Sequence, residues 1–366
     1  MRRTFAIARA DALIRFRRPS TAILFLLLGG TAYFWIPDPK TGRALMQIGK
    51  ARALYDSAAI GMATALLGTL FVSLAGFYVI SNAIRRDAQT RCGSIIAATT
   101  VRSGEYIAGK FLGNVLFLSA FFFGFMLVSM VMVIVRGEAR LEPLVFLTQY
   151  LLIVPPSIVF VSALAILFES IPWLSGRFGD VVYFFFFVGS IGFGVAMSLE
   201  GGHAWASYFD ISGMAPVMMQ VSAAMHTKSI SIGASNFDVR VPPVIYPGIA
   251  AGPGFLLQRL IALVVPLPLL LIARLSFHRF DPVRVKVSAK GQWRWLAGIN
   301  RMLKPLTGWL GGRGLVSADA AATVTSAPLI ALAAAGVAVA SLAAPAAIVM
   351  PIAFAVLAIS IAGVAV

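Results

Sequence analysis

Long apolar runs alternate with short polar stretches along the whole chain. Crossing a hydrocarbon core of about 30 Å takes roughly 20 consecutive apolar residues in a helix. Runs of about that length lie near 20–36, 58–80, 112–135, 144–168, 181–199 and 254–277. An Ala/Val/Ile-rich tail is long enough for about two more, near 327–343 and 347–366, split at Pro345. This pattern predicts an all-α fold, a polytopic membrane helix bundle with a six-span unit over 20–277 and about two further C-terminal spans in 327–366. In the second run Gly61, Ala65, Thr69 and Ser73 recur every fourth residue. They form a small-residue face on which a neighbouring helix can approach closely, so they are assigned to helix packing. Pro155-Pro156 removes two backbone donors inside the fourth run and is expected to kink it, and Pro266 and Pro268 interrupt the sixth.

Composition agrees with this picture. Hydrophobic residues make up 59% of the chain and charged ones 12%, while the net charge is +16. The arginines and lysines fall between the apolar runs, which marks topology and contact with anionic lipid rather than nucleic acid. Segments 1–19, 81–111 and 278–326 are the most basic and are therefore placed in the cytosol, with the N-terminus. An even number of spans separates each from the next, and loop 200–253 then lies outside. Loop 37–57 fits least well, since Lys40, Arg43, Lys50 and Arg52 are basic for an external loop. Phe5, Ala12 and Phe16 share a stripe within 1–19, so this stretch is read as an interfacial helix. Arg259 and Arg274, near opposite ends of the sixth run, are expected to snorkel towards water. The chain ends at Val366 without a polar tail, as a truncated form would. Cys92 is the only cysteine, which excludes an internal disulfide.

The connector 81–111 carries the most specific signal. A basic-acidic turn, Arg85-Arg86-Asp87, is followed by a stretch with apolar Ile95 and Ile96, then a small-polar run to Thr100. The next span opens on Tyr106, Gly109, Lys110 and Gly113, a Tyr-x-x-Gly-Lys-x-x-Gly pattern. An apolar pair in a cytosolic connector must cover itself against a partner or the bilayer surface. Tyr106 and Lys110, one turn apart, could anchor the start of the third span. The arrangement resembles the permease subunits of type-2 ATP-binding-cassette exporters over roughly residues 1–280. That resemblance implies a permease domain over 20–277 in a bacterial plasma (inner) membrane. It further implies a homo- or heterodimer of permease subunits and a separate ABC ATPase subunit that holds ATP and Mg. Arg85, Arg86, Asp87, Ile95, Ile96, Tyr106 and Lys110 would couple to that ATPase. The long loop 200–253, where the family more often has short re-entrant helices, and the additions after 278 depart from the pattern.

Other chemistry is sparse in the sequence. No Gly-x-x-x-x-Gly-Lys-Ser/Thr occurs, so the chain does not cradle ATP phosphates itself and is expected not to be an enzyme. His203, His226 and His278 are too scattered for a zinc site, and no cofactor or metal is assigned to the chain. Met214, Met218, Met219 and Met225 beside His226 would suit copper. Without a Met-x-Met or His-x-His cluster they read as adaptable apolar filler. The apolar runs lack central Asp, Glu or Lys, which argues against proton or sodium coupling. The competing reading is a membrane-embedded enzyme or assembly factor that uses external loop 200–253.

Overall fold

A computed structural model describes residues 2–280 except 176, 196, 198–202, 228 and 279. The expected C-terminal spans and nearly all of the basic segment 278–326 therefore lie outside the described residues. The helices are α1 (Arg2–Phe16), α2 (Pro19–Trp35), α3 (Ser57–Ile80), α4 (Ala83–Gln89), α5 (Cys92–Ala98), α6 (Ser103–Arg136), α7 (Pro143–Ser170), α8 (Arg177–Val195), α9 (Met214–Met225), α10 (Pro253–Val264) and α11 (Pro268–Ser276). Three strands accompany them, β1 (Arg43–Ile48), β2 (Ala51–Arg52) and β3 (Ile230–Asn236). Among the described residues four helical stretches are long and apolar enough to cross a membrane: Ser57–Gln89, Ser103–Arg136, Pro143–Ser170 and Pro253–Ser276. The protein is thus a mostly helical, multi-pass membrane protein. The expected first span is the 17-residue α2, about 25 Å at 1.5 Å per residue and so shorter than the bilayer core. The expected fifth span falls on the 19-residue α8.

The chain divides into two units, residues 1–76 with 101–277, and residues 77–100 with 278–366. In the first, α3, α6 and α7 form the centre. Two glycines of α3, two turns apart, set the spacing. A Cβ on Gly61 would lie 3.3 Å from Gln149 and Phe146 of α7, and one on Gly68 would lie 3.2 Å from Phe125 of α6. Replacing small residues here would force the backbones apart. The break at Pro266 and Pro268 separates α10 from α11. It is bridged by tight bonds from Leu267 N–H to Val264 O and from Leu270 N–H to Leu267 O.

The all-α expectation needs one correction. Loops 37–57 and 200–253 are not merely irregular: they supply an antiparallel three-stranded sheet in the order β2-β1-β3. Gln47 pairs with Arg52 across the β1–β2 turn, and Ile48 pairs with Ile230 and Arg43 with Asn236 across β1–β3. The sheet joins segments almost 190 residues apart. It is tied to the α6–α7 turn by a bidentate pair from Arg52 to Glu138 at 2.5 and 2.6 Å. Arg52, one of the four basic residues that made loop 37–57 anomalous, is thereby neutralised. Glu138 N–H also donates to Tyr55 O, and Glu142 N–H to Ser57 Oγ. Segments 37–57, 137–142 and 229–250 consequently share one end of this unit. The start of α1, the start of α6 and the end of α11 share the other. Loops 37–57 and 200–253 thus share an end, as the charge pattern expects of them.

In the second unit the connector is two short helices, α4 and α5. Asn82 and Arg91 stand just before them in the left-handed region, with φ of 73° and 60°. Gly93 lies under the ring of Phe280, where a Cβ would come within 2.5 Å of it, so a side chain there would have to displace that ring.

Candidate functional site

Among the described residues the buried charged groups fall into two clusters. The first lies where Pro155 and Pro156 break the hydrogen-bond ladder of α7, which stays helical from Pro143 to Ser170. An α-helical N–H bonds the carbonyl four residues earlier, so Pro155 and Pro156 leave the carbonyls of Leu151 and Leu152 without their helical donors. Arg259 of α10 fills part of that gap. Its Nε donates to Leu152 O at 3.0 Å and its Nη2 to Ile153 O at 2.8 Å. The other side of the same guanidinium reaches the segment before α9, with Nη1 on Asp210 O at 2.8 Å and Nη2 at 3.3 Å from Ile211 O. Arg259 is 5% exposed. The expectation that it snorkels is thus corrected: the broken helix and the adjoining loop supply polar acceptors inside the bundle, so the charge has no need to reach water.

Segment 210–213 is non-helical backbone held at the mid-length of two long helices. Ser157 Oγ, halfway along α7, donates to Ile211 O at 3.0 Å, and Thr69 Oγ1, halfway along α3, lies 3.1 Å from Ser212 O. The Asp210 carboxylate folds the turn on itself, accepting from Ser212 N–H and Oγ and from Ala215 N–H at 2.6–3.0 Å. Gly213 then turns the chain at φ 80°, and a Cβ there would sit 3.1 Å from the Arg259 guanidinium. Irregular backbone at membrane depth persists only where protein satisfies it, and here three helices do so. Loop 200–253 therefore does hold a short helix, α9, led in by a turn that dips into the bundle. The methionines Met214, Met218, Met219 and Met225 belong to α9. Among the described residues no group of three or more His, Cys, Asp or Glu could hold a metal ion.

The second cluster seats α1 on α6. Asp11 accepts from Lys110 Nζ at 2.9 Å and from Arg15 Nε at 3.0 Å, while Arg15 Nη2 donates to Asn114 Oδ1 at 2.7 Å. All four residues are at most 5% exposed. Gly109 and Gly113 allow the approach. A Cβ at Gly109 would meet Ile7 at 2.8 Å and Thr4 O at 3.1 Å, and one at Gly113 would meet Ala8 O at 3.2 Å. The Tyr-x-x-Gly-Lys-x-x-Gly spacing thus has a local cause: two glycines and a lysine on one face of α6 receive the N-terminal helix. Tyr106, 2% exposed, stacks on Phe277 with centroids 5.3 Å apart. On the outer side of α1, Phe5, Leu13 and Ile14 are exposed among arginines, as suits lipid. Ala12 of the expected stripe is instead buried, because α6 covers that edge.

The residues assigned to coupling fall into two groups. Tyr106 and Lys110 are enclosed within the first unit and reach no surface. Arg85, Arg86 and Asp87 lie half-buried on α4, with Arg86 and Asp87 3.9 Å apart. On α5, Ile96 is half-buried and Ile95 is 67% exposed. The packing residues of α3 each meet a different element: Gly61 faces α7, Thr69 the turn before α9, and the Ser73 carbonyl accepts from Tyr183 of α8 at 2.5 Å. Ala65 is fully buried. Sequence reasoning missed Asp11, Asp210, Gly213 and Asn114. Asp11, a lone acid in a basic stretch, was the one legible signal. Set against protein-family models, curated proteins and solved structures, the chain matches none of them.

Proposed function

We propose that the chain is the permease subunit of an ATP-driven transporter of the type-2 ATP-binding-cassette exporter kind, with six spans in 20–277. Substrate would cross between permease subunits, and ATP hydrolysis would belong to a separate P-loop ATPase carrying ATP and Mg. The observation that carries this reading is the connector: two short helices between long apolar ones, ending in an exposed Ile95 that water alone does not favour. The α1–α6 joint supports it, since force applied near α5 would reach a helix that is braced at its start by buried charge. Polar groups placed at a helix break in mid-bundle are a device of transporters generally. The topology follows from arginine and lysine placement, with the N-terminus and connector in the cytosol of a bacterial plasma membrane. Tyr106 and Lys110 would act through the α1–α6 joint, leaving direct contact to Arg85, Arg86, Asp87, Ile95 and Ile96.

The test is co-purification from membranes. A P-loop ATPase should accompany the native chain and be lost when Ile95 becomes Asp, with the variant still folded. If no such ATPase accompanies the native chain, or if the Asp variant retains it fully, the proposal fails.

A further inference from the structure

We infer that Arg259 is a pin that holds the turn 210–213 against the break in α7, and that releasing it opens the outer half of the bundle to water as far as α9. The inference rests on the transporter reading only for the use of such an opening. The guanidinium bonds two separate bodies, Leu152 and Ile153 on α7 and Asp210 and Ile211 on the turn. No other residue type offers a planar fork able to serve both at once. The turn has no helical or sheet bonding of its own across 210–213. It is held at this depth by side chains of Arg259, Ser157 and Thr69 together with the internal bonds of Asp210.

Gly213 shows how closely the pin is fitted, since a Cβ there would press on Cζ and Nη2 at 3.1 Å. The neighbouring Gln258 fastens the preceding segment by donating to Ser207 Oγ at 3.0 Å, so α10 grips the dipping segment at two successive residues. A buried cation is costly in a bilayer and is retained where it serves a moving or polar part. Arg259 makes four bonds at this junction while Ser157 and Thr69 make one each, so the seating of the turn depends most on Arg259. A shift of α10 along α7 breaks the Leu152 and Ile153 bonds together and leaves the turn held only by Ser157 and Thr69, one bond each.

The experiment uses the full chain in intact membranes with Cys92, which is exposed, replaced by Ser. A reporter cysteine replaces Ala215 at the start of α9, fully buried, and a control cysteine replaces Ala163 in α7, also fully buried. Each is exposed to a membrane-impermeant maleimide, with Arg259 native or changed to Gln or Lys. Local release predicts that the reporter labels at least about ten-fold faster in Arg259→Gln while the control keeps its native rate. Should the Gln variant unfold, seen as labelling of the control, Arg259→Lys decides, because it keeps the charge and loses only the fork. Faster labelling at 215 alone then supports the pin. Native rates at both positions in the Lys variant, or equal acceleration at both, overturn it. No ATPase enters this measurement, so its failure and that of the transporter reading are separable.

Discussion

Changing Asp11 to Ala removes the carboxylate that accepts from both Lys110 and Arg15, at 2.9 and 3.0 Å, in a cluster whose charged side chains are 1–6% exposed. Removing one member of a buried pair costs about 3–5 kcal/mol, mostly because the remaining charge is stranded. Two cations are stranded here, so Asp11→Ala should fall at the upper end of that range. Lys110→Met leaves the Asp11–Arg15 pair in place and removes one charge-assisted bond, for about 1.5–3 kcal/mol. In the double variant Lys110 is no longer there to be stranded. Its loss should therefore be smaller than the sum of the two single losses by about 1–3 kcal/mol. The measurement is reversible unfolding in mixed micelles at graded SDS, repeated at high salt. Surface pairs fade with screening, whereas this coupling should persist in about 1 M salt. Additivity within about 0.5 kcal/mol, or a coupling that salt abolishes, would refute the claim that this cluster is a dry joint between α1 and α6.

Three further outcomes are expected. The Arg52 hydrogen bond holds the Glu138 carboxyl below its ordinary 4.5, so its stabilisation is present above that value and is lost as pH falls through the lower folded value. Replacing Glu138 with Gln should flatten this acid-side loss, worth about 1 kcal/mol for a partly exposed pair, in unfolding curves taken between about pH 3 and pH 6. Asp56 bears in the opposite direction, because burial raises its pKa, and should leave a small residual slope in that variant. Gly213→Ala should lose more stability than Gly42→Ala. Both glycines have positive φ, 80° and 75°, but a Cβ at 42 meets open space while one at 213 meets Arg259. About 1–2 kcal/mol is expected at 42 and a further 1–3 at 213; equal losses would mean the guanidinium yields freely. Tyr106→Ala should cost about 3–5 kcal/mol through the lost packing on Phe277, whereas Ile95→Asp should leave unfolding unchanged within about 0.5 kcal/mol.

Much of the architecture was legible because it depends on local properties. Apolar run length alone located α3, α6, α7 and the α10–α11 pair, and the charge pattern grouped loops 37–57 and 200–253, which the sheet joins. Where reading failed, the cause was distance along the chain. β1 reads Arg-Ala-Leu-Met-Gln-Ile and β3 Ile-Ser-Ile-Gly-Ala-Ser-Asn, and neither alternates strongly enough to announce a strand. Each becomes one by pairing with a partner almost 190 residues away. Pro155-Pro156 foretold a kink but could not say which donor would repair it. Lys110 was visible as a motif residue, yet its assignment to the surface assumed that a cation near the membrane seeks water or a partner chain. Its acceptor turned out to be Asp11, 99 residues earlier.

The amino-acid order by itself determined that this is a multi-pass membrane chain and located the four segments long and apolar enough to cross a bilayer. These follow from transfer of side chains between water and lipid, a cost that each stretch incurs independently of the others. Only the tertiary structure decided where the buried charges go. A guanidinium or ammonium inside the bundle is tolerable only beside acceptors supplied by other helices, so the roles of Arg259, Asp11 and Lys110 exist only once α1, α6, α7 and α10 are packed together.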